Sequence, residues 1–189
     1  LEMSTQKVVL SGGGTVTTDM FAFGAGNLNA WVGVGGVGLR LEDVDFQLSV
    51  FKEKNANGTP MVNARKWTAL KASAGLARLE GLESIIQIEG NDLMVAVNVA
   101  SVDKKTVDFL ATKTQLNETI GSEDTMILDM GPSSDTAIYA SGHVKLSAFD
   151  FLYAEATLVF ERSQQTVTLT KDGDDADTAI DTVTVDVLT

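Results

Sequence analysis

The sequence predicts an all-β fold in a single domain of 189 residues. Apolar and polar residues alternate in short stretches along most of the chain, which is the period of a half-buried strand. Nine of the 17 glycines lie before residue 43, where they disfavour helix. No long helical pattern occurs outside residues 65–86. We therefore expect a β-solenoid or another elongated repetitive β module, with a β-sandwich as the alternative.

The first clear strand pattern lies in residues 39–51. Its alternating apolar residues are Leu39, Leu41, Val44, Phe46, Leu48 and Val50. The alternation slips by one residue at Glu42-Asp43, which predicts two strands joined by a bulge or a corner. Asn57-Gly58-Thr59-Pro60 then predicts a turn, because Asn-Gly and Pro supply the backbone angles that turns need.

Residues 65–86 are ambiguous, because their leucines and alanines could line one face of a helix. Gly75 and Gly81 interrupt that helix at a cost of about 1 kcal/mol each, which favours strand. Alternation is clear in the following stretch up to Val99, apart from an expected turn at Gly90-Asn91-Asp92.

Residues 114–136 predict a loop excursion, since they are rich in turn formers and contain no Lys or Arg. Strand patterns return over residues 138–160. In the tail, the valines of 183–187 and an acidic turn over 171–177 predict a hairpin.

Approximate internal repeats span residues 21–54, 67–100 and 137–170. Each repeat passes from an aromatic or aliphatic residue through Ala or Ser and Gly into an alternating apolar run. Small residues at the start let backbones pack closely, and the apolar run fills a shared core. The repeats thus predict a module built from similar units.

Two stretches carry a family resemblance, namely Trp67 to Val99 and Ala140 to Phe160, the latter together with Thr166-Val167-Thr168-Leu169. They resemble the repeats of giant secreted bacterial proteins described as adhesin-like or hemolysin-type calcium-binding. The resemblance implies an extracellular repetitive β module without catalytic residues. The glycine-aspartate nonapeptide of the calcium-binding β-roll is absent from this chain, so calcium binding does not follow from it.

Composition excludes several classes of function. A formal charge of −12 and a pI near 4.4 disfavour nucleic acid and anionic membrane surfaces as partners. The absence of cysteine excludes disulfides, thiolate catalysis and zinc-thiolate sites. No apolar run approaches the roughly 20 residues that span a bilayer, so membrane insertion is not expected.

Four carboxylates in the tail form a candidate calcium site. They are Asp172, Asp174, Asp175 and Asp177. Oxygens of a tight turn can converge on Ca²⁺, although the segment lacks the glycine and the closing glutamate of an EF-hand. An acidic hairpin tip that opposes edge-to-edge aggregation explains the same residues.

Other candidate sites have simpler structural explanations. His143 is the single histidine, and with Ser141 nearby it offers two members of a catalytic triad, but a surface strand histidine is favoured. The carboxylate pairs Glu80 with Glu83 and Glu89 with Asp92 are more typical of a solvated acidic face than of a glycosidase. The glycines of 33–38 lack the Lys-Ser/Thr of a phosphate loop. Four aromatic residues could stack on sugars or belong to the core: Trp31, Trp67, Tyr139 and Tyr153.

These observations predict a protein that is not an enzyme. We expect a structural or adhesion module of a bacterial extracellular or cell-surface protein, as part of a stalk or a self-assembling filament. Its expected partners are neighbouring copies of the module, with a glycan as a further possibility. The alternative is a carbohydrate-binding or carbohydrate-active β domain, which would need a concave aromatic patch flanked by carboxylates.

Overall fold

The computed structural model describes residues 2–55, 57–149, 151–169 and 181–188. Strands contain 66% of the residues and helix 5%, which confirms the all-β class. The strands are β1 (Glu2–Leu10), β2 (Thr15–Val34), β3 (Val37–Lys54), β4 (Lys66–Glu80), β5 (Ile86–Val99), β6 (Val107–Asp108), β7 (Ala137–Ala148), β8 (Leu152–Leu169) and β9 (Asp181–Leu188), and the helix is α1 (Phe109–Leu116). The strands form one open antiparallel sheet in the order β6-β1-β2-β3-β4-β5-β7-β8-β9.

The sheet is built mainly from consecutive hairpins. Residues 21–54 fall on the β2–β3 hairpin, 67–100 on the β4–β5 hairpin and 137–170 on the β7–β8 pair, so each approximate repeat coincides with one pair of neighbouring strands. The ambiguous 65–86 stretch is strand up to Glu80, as predicted. In the tail, β8 and β9 pair as expected, and the acidic turn between them lies outside the described residues.

A line of irregular positions crosses the middle of the sheet. We call it the seam; it crosses β2 to β5 and comprises Asn27, Asp43, Gly75 and Asp92, and it ends opposite Gly142 on β7, which pairs regularly with β8. The Asn and the two Asp residues have φ of 55°, 52° and 51°, left-handed values that Asn and Asp adopt more readily than other side chains. Gly75 lies opposite Asp43, where an added Cβ would approach the aspartate Cβ to 3.2 Å. Backbone distortion is therefore shared by neighbouring strands at one level.

The seam decides two predictions. For residues 39–51 the bulge is confirmed by the register shift opposite Asp43, whereas two strands meeting at a corner are wrong, because β3 continues through Asp43 as one strand. The expected turn at Gly90-Asn91-Asp92 is also wrong, because β5 runs unbroken from Ile86 to Val99. In both places a left-handed residue shifts the alternation by one position without reversing the chain.

Replacing Asp43 tests whether the left-handed conformation is required. Asp43→Val is expected to destabilise the protein by about 1 to 2 kcal/mol, because a β-branched residue is strained at positive φ. Asp43→Gly should be close to neutral, since glycine adopts this conformation freely. Urea unfolding of the two variants measures the difference, and equal stabilities would show that the position is not left-handed in solution.

The core lies at one end of the sheet, on one face only. Its buried residues are Val8, Leu10, Met20, Ala22, Phe51, Trp67, Ala69, Val107, Phe109, Ile120 and Leu128. They come from β1 to β4, from β6, from α1 and from the irregular segment 117–136, which lies over the sheet here. A loop excursion is expected over 114–136, but the first residues of this range belong to α1. The rest of the range packs against the strands through the buried side chains of Ile120 and Leu128.

The helix α1 was absent from the sequence-based interpretation. The side chain of Asp108 accepts a hydrogen bond from the N–H of Ala111, which caps its first turn, and Asn117 ends it with φ of 55°. Thr112 is fully buried and accepts a 2.9 Å hydrogen bond from the N–H of Val9. This bond holds the helix against β1.

A largely buried ion pair closes the same end of the sheet. Glu53 and Arg65 form two hydrogen bonds of 2.8 and 2.5 Å, and Arg65 also reaches Asp103 at 2.6 Å. The Glu53 side chain is 12% exposed. The hydrogen bonds from Arg65 hold the pKa of Glu53 below its ordinary value of 4.5, against the opposing effect of burial.

In Glu53→Gln, the free energy of unfolding should therefore fall less steeply than in the wild type as the pH is lowered. A lowered folded pKa means that the ionised pair stabilises the protein above the unfolded pKa and ceases to do so as the pH falls through the folded value. At neutral pH we expect a loss of about 1 to 3 kcal/mol, as for a charged hydrogen bond. Near pH 3 the two proteins should converge. Urea unfolding at both pH values measures this, and a loss that does not depend on pH would contradict it.

Candidate assembly surface

The strand register places apolar residues side by side on one face of the sheet. In one row, Phe23, Leu48, Leu70, Val97 and Ile138 are successive cross-strand partners from β2 to β7. A second row consists of Ala25, Phe46, Ala72, Val95, Ala140 and Phe160. Direct cross-strand partners lie on the same face, so each row is a continuous apolar band.

The seam keeps this face apolar across the whole length of the strands. Beyond it, Val32, Leu39 and Leu79 are partners, as are Ile88, Leu146 and Ala154. The one-residue slip returns apolar side chains to the same face on each strand that it crosses. Examples are the three-residue steps from Ala25 to Leu28, Leu41 to Val44, Ala74 to Ala77 and Gly90 to Leu93.

We call this surface the open face. Its large side chains are Phe21, Phe23, Leu28, Val32, Leu39, Phe46, Leu48, Leu70, Leu79, Ile88, Leu93, Val95, Val97, Ile138, Leu146, Leu152, Leu158 and Phe160. It lies opposite the face that α1 and segment 117–136 cover. Leu158 is 57% exposed, and Phe23 and Phe160 are each 44% exposed. Between Phe21 on β2 and Phe160 on β8, the described strands place no charged residue on it, and Arg162, the β8 partner of Ile138, marks its border.

The reverse face beyond the seam is charged. Arg40 contacts Glu42 at 2.6 Å and Glu80 at 3.7 Å, and Arg78 contacts the same two carboxylates at 3.7 and 3.6 Å. These ion pairs, two within a strand and two between β3 and β4, cover this part of the sheet with polar atoms on that side. The same layer is thus hydrophilic on one face and apolar on the other.

The predicted carboxylate pairs do not converge on a common point. Glu80 belongs to the ion-pair network, whereas Glu83 accepts a 2.8 Å hydrogen bond from the N–H of Gly81, which lowers its pKa. In the strand register, Glu89 is the cross-strand partner of Arg78 on β4 and of Lys145 on β7, and Asp92 lies in the seam. Glu80 and Glu83 thus have separate local partners.

His143 lies on β7 with its side chain 31% exposed. Its Nε2 lies 2.6 Å from Glu155 and its Nδ1 lies 3.2 Å from Thr157, both on β8, rather than pairing with Ser141. Tyr153 donates a hydrogen bond to the same glutamate. Hydrogen bonds from Tyr153 and then His143 lower the pKa of Glu155. The cluster is an exposed cross-strand network without a neighbouring nucleophile among these contacts.

The aromatic residues do not form one patch. Trp67 is buried, its Nε1 donates to the carbonyl of Lys105 at 2.8 Å, and Arg65 lies 5.3 Å from its ring. Trp31 is half-exposed, and its ring lies so close to Gly38 that a Cβ there would be 2.7 Å away. Tyr153 lies five strand spacings from Trp31, roughly 24 Å at ~4.8 Å per strand. Of the glycines of 33–38, Gly35 and Gly36 form the β2–β3 turn with positive φ, and Gly33 and Gly38 pair with each other in the strands.

The candidate calcium ligands lie outside the described residues, namely Asp172, Asp174, Asp175 and Asp177. Within the described part of the chain, no group of three or more His, Asp or Glu side chains could hold a metal ion. The large side chains of the open face are apolar, so no polar motif in the sequence indicates it. Its signal is the set of three-residue apolar steps at the seam.

No helix in the described ranges is long and apolar enough to cross a membrane. Searches against protein-family models, curated proteins and solved structures find no significant match to this chain.

Proposed function

We propose that this chain is a non-catalytic structural module of a bacterial extracellular or cell-surface protein. It forms part of a stalk or filament, and it works by packing its open face against another protein surface. The observation that carries the proposal is the continuous, charge-free apolar face on six neighbouring strands. The resemblance of residues 67–99 and 140–160 to secreted bacterial repeats supports the extracellular location.

The size of the open face supports a role in assembly. Six strands ~4.8 Å apart, each about 12 residues long at ~3.3 Å per residue, cover roughly 1,100 Å². The largest apolar patch on a typical soluble monomer is only about 300 to 600 Å². Burial of apolar surface contributes about 25 cal/mol per Å², so this face strongly favours a partner that removes it from water.

The proposal also accounts for the fold alternatives. A single sheet with one apolar face is stable when that face stacks on another sheet. The elongated module is then the sheet of one chain, and the β-sandwich is the same sheet packed against a second one. In a chain of such modules, each interface stabilises its neighbours. The charged reverse face, with Arg40 and Arg78 paired to Glu42 and Glu80, remains in water and keeps the assembly soluble.

Light scattering of the purified chain and a glycan array together test this function. We expect the average mass to rise over roughly a hundredfold increase in concentration, as mass action requires, and no glycan to bind. A constant monomer mass would contradict the structural role. Glycan binding that disappears in Trp31→Ala would instead support the carbohydrate-binding alternative, and Trp67→Ala cannot serve for this purpose because Trp67 is buried in the core.

A further inference from the structure

We propose that the partner on the open face is a second copy of this chain. The two copies pack face to face about a two-fold axis and form a two-layer β-sandwich. The inference rests on the structural role proposed above and names its partner. Three features of the open face carry it: its area, its surface relief and its lack of charge.

The area matches what a stable dimer needs. Each copy contributes roughly 1,100 Å² of sheet surface, and specific interfaces bury about 1,200 to 2,000 Å² in total. Contact over little more than half of each face is therefore enough for a specific dimer. The twist of the sheets, which prevents two faces from touching over their whole area, does not rule out such an interface.

The relief of the face is self-complementary. Near the seam, bulky residues alternate with small ones from strand to strand, so ridges alternate with grooves there. The ridges carry Val44 and Phe46 on β3, Val95 on β5, and Leu158 and Phe160 on β8. The grooves carry Ala72 and Ala74 on β4, and Ala140 on β7, whereas Leu93 covers Gly142. Stacked sheets interdigitate their facing side chains, and a copy of the same surface supplies ridges at the spacing of these grooves.

A shallow depression marks the groove on β7. It measures about 370 Å³ and is lined by apolar side chains that include Leu93, Val95, Leu158 and Phe160. A groove of this kind receives ridge side chains from a facing sheet, because close packing at an interface core matches that of protein interiors.

Charge does not oppose this contact. Each copy has a formal charge of −12, but the described strands place no acidic residue on the open face between Phe21 and Phe160, and Arg162 at its border is basic. Packed sheets lie ~10 Å apart, so charges on the two outer faces are separated by roughly 20 Å or more. That distance exceeds the Debye length of about 8 Å at physiological salt. Net repulsion should therefore weaken the dimer only at low ionic strength.

Edge-to-edge pairing is the competing arrangement. β9 pairs with β8 only from Arg162 onward, so the described residues leave the outer edge of β8 free from Leu152 to Glu161. Pairing there would extend the sheet and leave the apolar face in water. Side chains on the two faces of β8 would then contribute equally to association.

Leu158 and Val159 provide a matched pair of positions that separates the two arrangements. They are adjacent on β8, 57% and 55% exposed, and they point to opposite faces. Sedimentation velocity of the whole chain compares Leu158→Glu with Val159→Glu. We expect the wild type to dimerise, and Leu158→Glu to weaken association by about 100-fold, because it buries an unpaired carboxylate. Val159→Glu should change it less than about threefold.

A dye that fluoresces on apolar surfaces provides a measurement that needs no variant. Diluting the wild type to dissociate the dimer should increase the bound dye per chain as the open face reaches water. Association that is unaffected by Leu158→Glu, or equally weakened by both substitutions, would overturn the face-to-face dimer and leave a structural module that assembles by another surface. A wild type that stays monomeric would overturn the dimer and the proposed function together.

Discussion

Replacing Trp67 by alanine is expected to lower the free energy of unfolding by about 3 to 5 kcal/mol. The side chain is 1% exposed at the centre of the core, so its removal leaves a cavity between the sheet and segment 117–136. The carbonyl of Lys105 also loses its 2.8 Å hydrogen bond from the indole N–H. Both losses act on the folded state.

Trp31→Ala is the matched control, since the protein has two tryptophans in contrasting places. Trp31 is 49% exposed and its ring lies over Gly38 near the β2–β3 turn. We expect its replacement to cost less than about 2 kcal/mol, because little surface is lost from a packed site. Urea unfolding followed by circular dichroism compares the two. Equal costs would place the core elsewhere in the sheet.

Phe109→Ala is expected to destabilise the protein by about 3 kcal/mol or more. Phe109 is 2% exposed, and its ring centroid lies 6.1 Å from that of Phe51, so the helix packs against the C-terminal end of β3. Leu110→Ala is the control, because the next residue on the helix is 50% exposed. It should cost less than about 1 kcal/mol. Similar losses would show that α1 does not cover the sheet through Phe109.

The strand-rich class could be predicted from the sequence because each strand alternates over many residues. Residues 66–80 are rich in Ala, Leu, Lys and Arg, yet Gly75 and Gly81 correctly indicated that they do not form a helix. The helix α1 could not be found in the same way. It has eight residues and buries only Phe109 and Thr112, so it leaves no helical period in the sequence.

The sequence indicates the seam at one position and is misleading at another. The slip at Asp43 predicts a bulge or a corner between two strands, and the bulge occurs within one strand. Gly90-Asn91-Asp92 has the composition of a turn, and a turn was predicted. Asn and Asp adopt the left-handed conformation both in turns and in strand irregularities, so local composition cannot distinguish them. The pairing of β4 with β5 on both sides of Asp92 decides between them.

The open face shows a different limit of sequence analysis. Alternation reveals that one face of each strand is apolar, and it was taken as evidence for a filled core. Which face is covered depends on where the chain between β5 and β7 lies, and that segment covers only the face carrying Phe51 and Trp67. The uncovered face is a tertiary feature, so it emerges only when the strands are assembled in order.

The heat capacity change of association tests most directly whether the open face is buried between two copies. Removal of apolar surface from water lowers the heat capacity by about 0.45 cal/K/mol per Å². For roughly 1,200 to 2,200 Å² of apolar surface, association should give about −0.5 to −1 kcal/mol/K. Calorimetric dilution of the wild type at several temperatures measures this quantity. A value near that range is expected, and association with a heat capacity change close to zero would contradict burial of the open face.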